Sequence, residues 1–315
     1  MIKIVEVGPR DGLQNETATV PTNAKVAFVN ALSETGVGEI EVSAFVSPHK
    51  VPQLRDAGDV FRNIRRNDRV LYSALVPNEL GFERAVAAKV DKISVFTAAS
   101  ETFNRKNINT SVDGSLQRFR PIVKRAAKMG LPIRGYLSTA FWCAFEGRIA
   151  PRAVVDLTLK LTDMGVAEVS ISDTIGKATP DEVAKLLDAL LPHVGPEQIA
   201  MHFHDTHGRA VANVLKSWSY GIQIFDASVG GLGGCPFAPG AAGNVATESV
   251  VEALTGQGEV VGVDIDKLLH ARGLLNPFLL EERRQLPGPG SPVCEACEYH
   301  RGEVCCKPEK KGMSS

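Results

Sequence analysis

The strongest constraint on this chain is an alternation. Short apolar runs of strand character are separated by amphipathic stretches of helical period, and the unit recurs eight times. The predicted strands lie at roughly 3–8, 38–43, 69–75, 91–97, 132–138, 167–172, 199–204 and 224–229. Helical stretches between them include Thr22 to Thr35, Ser115 to Met129, Pro151 to Met164 and Pro180 to Leu191. Thr179-Pro180-Asp181-Glu182 offers an N-cap, a proline in the first turn and early acids. Gly36, Gly130 and Gly165 stand where helices should stop. Strand-helix units in series build a parallel sheet, and eight is the number that closes a (β/α)8 barrel. An open doubly wound sheet accommodates the same pattern, so strand count alone leaves both.

Length is ambiguous between one domain and two at 315 residues. The composition breaks at Leu286, where Pro-Gly-Pro-Gly-Ser-Pro begins and cysteines follow. The expected division is therefore a catalytic barrel with a C-terminal helical extension over residues 1–285, and a tail over 286–315. Lys plus Arg total 35 against 36 for Asp plus Glu, which gives no general reason to bind nucleic acid or a membrane surface. No apolar run approaches a membrane span. The first residues, Met1-Ile2-Lys3-Ile4-Val5-Glu6-Val7, read as a strand and not as a secretory signal, so the expected compartment is the cytosol.

Barrel chemistry collects where strands end. After the first strand comes Gly8-Pro9-Arg10-Asp11-Gly12, and after the eighth comes Gly230-Gly231-Leu232-Gly233-Gly234-Cys235. The seventh ends in His202-Phe203-His204. Residues i and i+2 of a strand share a face, and two imidazoles on one interior face are costly unless something uses them. The functional reading is two metal ligands; the bland one is a hydrogen-bonded core histidine beside a chance neighbour. Asp11 would join them once strands one and eight close the ring, and Asn244 would add an amide oxygen. One carboxylate, two imidazoles and an amide suit Mg²⁺, Mn²⁺ or Zn²⁺.

Arg10 stabilises an enolate or binds a carboxylate in one reading, and holds its loop by a salt bridge in the other. Asp173 either orients a ligand or Arg10, or caps the turn at Thr174-Ile175-Gly176. Glu41, inside an apolar strand, needs a partner, and Arg10 or Arg134 is available. Cys235 sits on a glycine-rich loop that lacks the Gly-Lys-Ser/Thr ending of a phosphate loop; the expectation is a mobile lid carrying a reactive thiol.

Seven stretches carry a family resemblance: VGPRDGLQNE (7–16), FVSPHKVPQ (45–53), ASETFNRKNIN (99–109), RGY (134–136), SDTIG (172–176), HFHDTHG (202–208) and GGLGGCPFAPGAAGN (230–244). Together they resemble the 3-hydroxy-3-methylglutaryl-CoA lyases of the DRE-TIM metallolyase superfamily, from about residue 3 to 275. The resemblance implies a TIM barrel with additional C-terminal helices. It implies a metal-dependent retro-Claisen cleavage that yields acetyl-CoA and acetoacetate. In this likeness Asp11, His202, His204 and Asn244 hold the cation, Mg²⁺ or Mn²⁺ with Zn²⁺ as a further candidate. Arg10 stabilises the enolate and contacts substrate, and Cys235 takes part in proton transfer. Glu41 and Asp173 support the site; Arg134 is expected to bind substrate. Arg105 and Lys106 are placed along the path of the acyl-CoA, and a homo-oligomer, dimer or higher, is the expected assembly.

The chain departs from the family at Ser43-Ala44-Phe45, at Ser172 and at Phe141-Trp142-Cys143-Ala144-Phe145-Glu146-Gly147. These changes are expected near the acyl pocket, with Trp142 adding bulk. Two alternatives therefore stand beside the lyase reading: a lyase for a different 3-hydroxy-3-substituted acyl-CoA, and a Claisen-type synthase or aldolase on the same barrel. The GGLGGCP loop favours the lyases. The tail, with Cys294, Cys297, Cys305 and Cys306 around His300, has two readings, a structural Zn²⁺ site or a disordered redox-sensitive segment.

Overall fold

The computed structural model describes residues 2–233 and 243–283. Eight strands form the barrel: β1 (Lys3–Glu6), β2 (Glu39–Ala44), β3 (Leu71–Leu75), β4 (Lys92–Ala98), β5 (Ile133–Ser138), β6 (Glu168–Asp173), β7 (Ile199–Phe203) and β8 (Ile224–Ala227). Each pairs in parallel with its sequence neighbour, and β1 pairs with β8 through Lys3↔Ile224 to Glu6↔Ala227, which closes the ring. The helices are α1 (Thr22–Leu32), α2 (Ala57–Asn63), α3 (Glu79–Ala87), α4 (Glu101–Ile108), α5 (Val112–Lys128), α6 (Pro151–Met164), α7 (Pro180–Leu190), α8 (Ala210–Ser219), α9 (Thr247–Thr255), α10 (Ile265–Gly273) and α11 (Asn276–Arg283). The closed barrel excludes the open sheet. Helices α10 and α11 follow the eighth unit as the expected extension.

Local signals explain most boundaries. Thr179 accepts from the Glu182 amide while the Glu182 carboxylate accepts from the Thr179 amide, a complete capping box for α7. Gly165 ends α6 with a φ of 108°. Helix α1 stops at Leu32, short of Thr35, because Ser33 and Thr35 turn their hydroxyls back onto the Val29 and Leu32 carbonyls. Strand β1 stops at Glu6 and not at residue 8. The amides of Arg10, Asp11 and Gly12 all converge on the Val7 carbonyl, at 3.1, 2.7 and 3.2 Å, and wind the chain into a π-helical turn over Gly8–Gly12. A short antiparallel hairpin, Trp142–Cys143 against Gly147–Arg148, is inserted between β5 and α6 and was not expected from the pattern.

The apolar core lies between the strands and the helices. Phe28, Phe82, Phe119 and Phe225 are fully buried there. The barrel interior is different. Its apolar content is small: one cluster of Val5, Val7, Ala200 and Ile224, and a second around Leu75 and Tyr136. Much of the rest is charge, where such interiors are commonly filled by branched aliphatics. Polar residues were expected at one end of the strands only. The N-terminal ends carry them as well: Lys3 Nζ lies 2.6 Å from Glu39, and Lys92 Nζ lies 3.0 Å from both Glu39 and Glu168. Arg134 follows, 3.0 Å from Glu168 and 2.5 Å from Asp226. Acids and bases compensate one another across the ring, which is what lets them lie inside.

Candidate active site

The π-helical turn after β1 presents Arg10 and Asp11 to the barrel mouth. Arg10 is buried, and its Nε donates to Glu41 Oε2 at 2.5 Å while its Nη1 donates to Asp11 Oδ1 at 2.6 Å. Its guanidinium also lies 5.1 Å from the centre of the Tyr136 ring. Glu41 accepts from Tyr136 Oη and Ser94 Oγ as well, both at 3.0 Å. Of the two partners foreseen for Glu41, Arg10 makes the contact. Burial pushes the Glu41 carboxyl above its ordinary range even against the pull of Arg10.

His202 closes on the same point from β7. Its Nε2 lies 3.9 Å from Asp11 Oδ2, and its Nδ1 lies 3.3 Å from Asp226 Oδ2. His204, just beyond the strand, stands with its ring centre 5.3 Å from that of His202. Asp11, His202 and His204 each offer a ligand atom, and those atoms lie within 4.8 Å of one another. Asn244 is delivered by a bridge to His204, fixed by Val245 N to Phe203 O (3.0 Å) and Asp205 N to Gly243 O (2.7 Å). Its Nδ2 donates to Asp11 Oδ2 at 3.0 Å and to the Leu232 carbonyl at 3.2 Å.

The donor set fits a divalent cation. Burial would raise the Asp11 carboxyl, but Arg10 and the two imidazoles outweigh it and bring it down to about 2. Burial, reinforced by His202, lowers His204 to about 4, so its imidazole is neutral near pH 7 and keeps a lone pair. His204 Nδ1 is buried with no hydrogen-bond partner among the described residues. An orphaned imidazole nitrogen beside an ionised carboxylate is costly unless a ligand satisfies it.

A collar of backbone holds this mouth. The Glu6 carboxylate is fully buried and accepts from Gly8 N at 2.9 Å, Val229 N at 3.0 Å and Thr247 Oγ1 at 2.6 Å. It ties the Arg10 turn, the segment after β8 and the start of α9 together. Gly233, with a φ of 92°, lies so close to Gly12 that a Cβ would sit 2.9 Å from its Cα.

Several expected roles change. Arg134 was expected to bind substrate; it is fully buried one residue into β5, engaged by Asp226 and Glu168, with its guanidinium 5.1 Å from the Tyr136 ring centre. Asp173 does not touch Arg10. Its carboxylate accepts from Lys177 N at 3.1 Å and Ala178 N at 2.9 Å, so it closes the turn after β6, and burial raises it to about 6. Trp142, expected to add bulk near the acyl pocket, has its Nε1 donating to Glu182 at 3.2 Å and Lys177 Nζ 4.0 Å from its ring centre. Arg105 and Lys106 lie on exposed turns of α4, paired with Glu101 at 3.8 Å and stacked on Phe145 at 4.3 Å. Cys235 and the cysteines of the tail lie outside the described residues.

The sequence reading missed Glu6, Ser94, Tyr136 and Asp226. A lone acid inside an apolar strand run was the available signal for Glu6 and Asp226, as it was for Glu41.

Comparison with known proteins agrees with this architecture. The HMGL-like family model matches residues 1–275. The chain is 47% identical over 270 residues to the cytoplasmic 3-hydroxy-3-methylglutaryl-CoA lyase of Mus musculus, covering 86% of this chain and 79% of the relative. The solved HMG-CoA lyase of Brucella melitensis superposes with a TM-score of 0.86 at 48% identity, over 90% of this chain and 99% of that one. An HMG-CoA lyase from Acenitobacter baumannii, solved in complex with coenzyme A and 3-methylmalate, gives a TM-score of 0.84 at 36% identity, over 93% and 98%.

Proposed function

The chain belongs to the HMGL-like family, and from that membership we propose that it is a carbon–carbon lyase that cleaves 3-hydroxy-3-methylglutaryl-CoA to acetyl-CoA and acetoacetate. The observation that carries the reading is the convergence of Asp11, His202 and His204 beside an arginine clamped by Glu41. Asp11, His202 and His204, with Asn244 alongside, would hold a divalent cation, whose Lewis acidity would lower the pKa of the substrate's tertiary hydroxyl. Mg²⁺ or Mn²⁺ suits the carboxylate and the open positions; Zn²⁺ suits the two imidazoles and is the competitor.

The residues divide the remaining work. Asp11 is held ionised chiefly by Arg10. In the reaction the hydroxyl proton passes to solvent, the bond between C2 and C3 breaks, its electron pair passes to the acetyl-CoA enolate, and the alkoxide carbon becomes the ketone of acetoacetate. Arg10 opposes that developing negative charge; Glu41 and Asp11 fix its position before substrate arrives. Cys235 Sγ is our assignment for the group that protonates the enolate carbon. Arg105 and Lys106, on the rim helix, are assigned to the phosphates of coenzyme A. The location we favour is the cytosol.

With the Trp142 indole engaged by Glu182 and Lys177, that departure from the family leaves the reading of the methyl-bearing substrate in place. The test is a panel of 3-hydroxyacyl-CoA esters with Mg²⁺, Mn²⁺ or Zn²⁺, with acetyl-CoA measured as product. The 3-hydroxy-3-methylglutaryl ester is expected to give the highest kcat/KM. Release of acetyl-CoA only from other esters would displace it, and thioester condensation without cleavage would point to a synthase.

A further inference from the structure

Asp226 has no part in the chemistry above, yet its surroundings are specific. It lies on β8, directly in register with His202 on β7. It is fully buried beside the mouth, in an otherwise apolar strand. One carboxylate oxygen takes Arg134 Nη2 at 2.5 Å. The other takes Ser170 Oγ at 2.8 Å and lies 3.3 Å from His202 Nδ1. The opposite nitrogen of the same ring, Nε2, is the one on the Asp11 side.

From this arrangement we propose that Asp226 is the positioning residue for His202, with Arg134 and Ser170 as its anchors. An imidazole has one lone pair to give in its neutral form, and the proton on the other nitrogen decides which one. A carboxylate facing Nδ1 keeps the proton there, orients the ring and leaves the Nε2 lone pair facing Asp11. Without an anchor the carboxylate itself would be an uncompensated buried charge. Arg134 supplies the compensating cation, and Glu168 on the next strand holds Arg134 in turn. Strand register supplies part of the order: Asp226 opposes His202 and Arg134 opposes Glu168, while the Arg134–Asp226 contact crosses the interior between strands β5 and β8, which do not pair with each other.

The inference rests on the reading of a divalent cation at Asp11, His202 and His204. It is tested on the full chain, stripped of metal, by titrating Mn²⁺ alone and following free Mn²⁺ by electron paramagnetic resonance. In Asp226→Asn the Mn²⁺ Kd is expected to rise about ten- to a hundredfold. Turnover is expected to fall at limiting Mn²⁺ and to return in excess, a separation that a merely structural defect would not produce. Ser170→Ala, which keeps the carboxylate and removes one anchor, is expected to show a smaller rise in the same direction. The double variant Asp226→Asn/Arg134→Gln removes both charges together and serves if the single variant does not fold. On the wild-type protein, nitrogen-detected NMR of labelled histidine is expected to find the His202 proton on Nδ1. Wild-type Mn²⁺ affinity in a folded Asp226 variant, or an Nε2-protonated His202, would overturn the inference alone. A wild-type chain that binds no Mn²⁺ would overturn the metal reading and this inference with it.

Discussion

The two ends of the barrel interior are built from the same kinds of residue and differ in one respect. At the floor, Lys3, Lys92 and Arg134 face Glu39 and Glu168, Asp226 on the step up to His202 supplies the third acid, and the formal charges balance. At the mouth, Arg10 faces two carboxylates, Asp11 and Glu41, and beside them His204 keeps a buried nitrogen without a partner. The floor balances its formal charges, although Glu39 Oε1, Arg134 Nε and Arg134 Nη1 also lack hydrogen-bond partners; the mouth is short of positive charge. Neither buried charge nor a single unpartnered atom by itself therefore marks a site. A net excess of buried negative charge beside an unpartnered imidazole nitrogen does, because it is costly enough to persist only where a cation completes it.

If the floor away from Asp226 and its anchor Arg134 is structural, breaking it should cost stability and leave chemistry alone. Lys92→Met removes the cation shared by Glu39 and Glu168. Removing one partner of a buried pair costs about 3–5 kcal/mol, so a fall of that order is expected in urea unfolding. Turnover per folded molecule is expected to stay at the wild-type level. A variant of unchanged stability that has lost turnover would reverse the assignment of the two ends.

The mouth should respond the other way. Arg10→Gln takes away the charge that opposes the enolate, and the loss of one such group costs about 10²–10³-fold in turnover. Stability is expected to change little, because Glu41 keeps Tyr136 and Ser94 as donors and burial already raises its pKa, so it can take up a proton. Turnover by coupled assay, set beside a thermal melt, measures both. Near-wild-type turnover would remove Arg10 from the chemistry.

The contrast between the two ends was only half legible in the sequence. The ring was readable because eight apolar runs at regular spacing admit few topologies, and the metal group was readable because His202 and His204 stand two apart on a strand. The floor was not. Glu39 and Lys92 lie on β2 and β4, strands that do not pair with each other, and meet only across the closed interior. Each looked like an isolated charge at the start of a strand. Arg134 was read as a substrate ligand for the same reason, since nothing local says that its partner is Asp226, 92 residues away. Asp173 was ambiguous between orienting a ligand and closing a turn, and two backbone amides decide for the turn.

Glu6 offers the finest test, because it belongs to the mouth and titrates opposite to the floor. Glu39, beside Lys92 and Lys3, is held at about 2 despite burial, so the stability it contributes is present above pH 4.5 and is lost as pH falls toward 2. Burial raises Glu6 to about 7 from an ordinary 4.5, against three hydrogen bonds that favour the ionised form. A raised carboxyl binds its proton more tightly in the folded state than in the unfolded one. Its contribution is therefore complete below pH 4.5 and is lost as pH rises through 7, by about 2–3 kcal/mol at full burial. Glu6→Gln preserves the shape and lets the amide oxygen accept from Gly8 and Val229 while the amide nitrogen donates to Thr247 Oγ1. It is expected to flatten the decline in urea midpoint between pH 4.5 and 7 and to leave the acid-side decline in place. Parallel profiles for the two proteins across pH 4.5–7 would mean that Glu6 is already ionised in the fold, and that the collar of the mouth is as fully compensated as the floor.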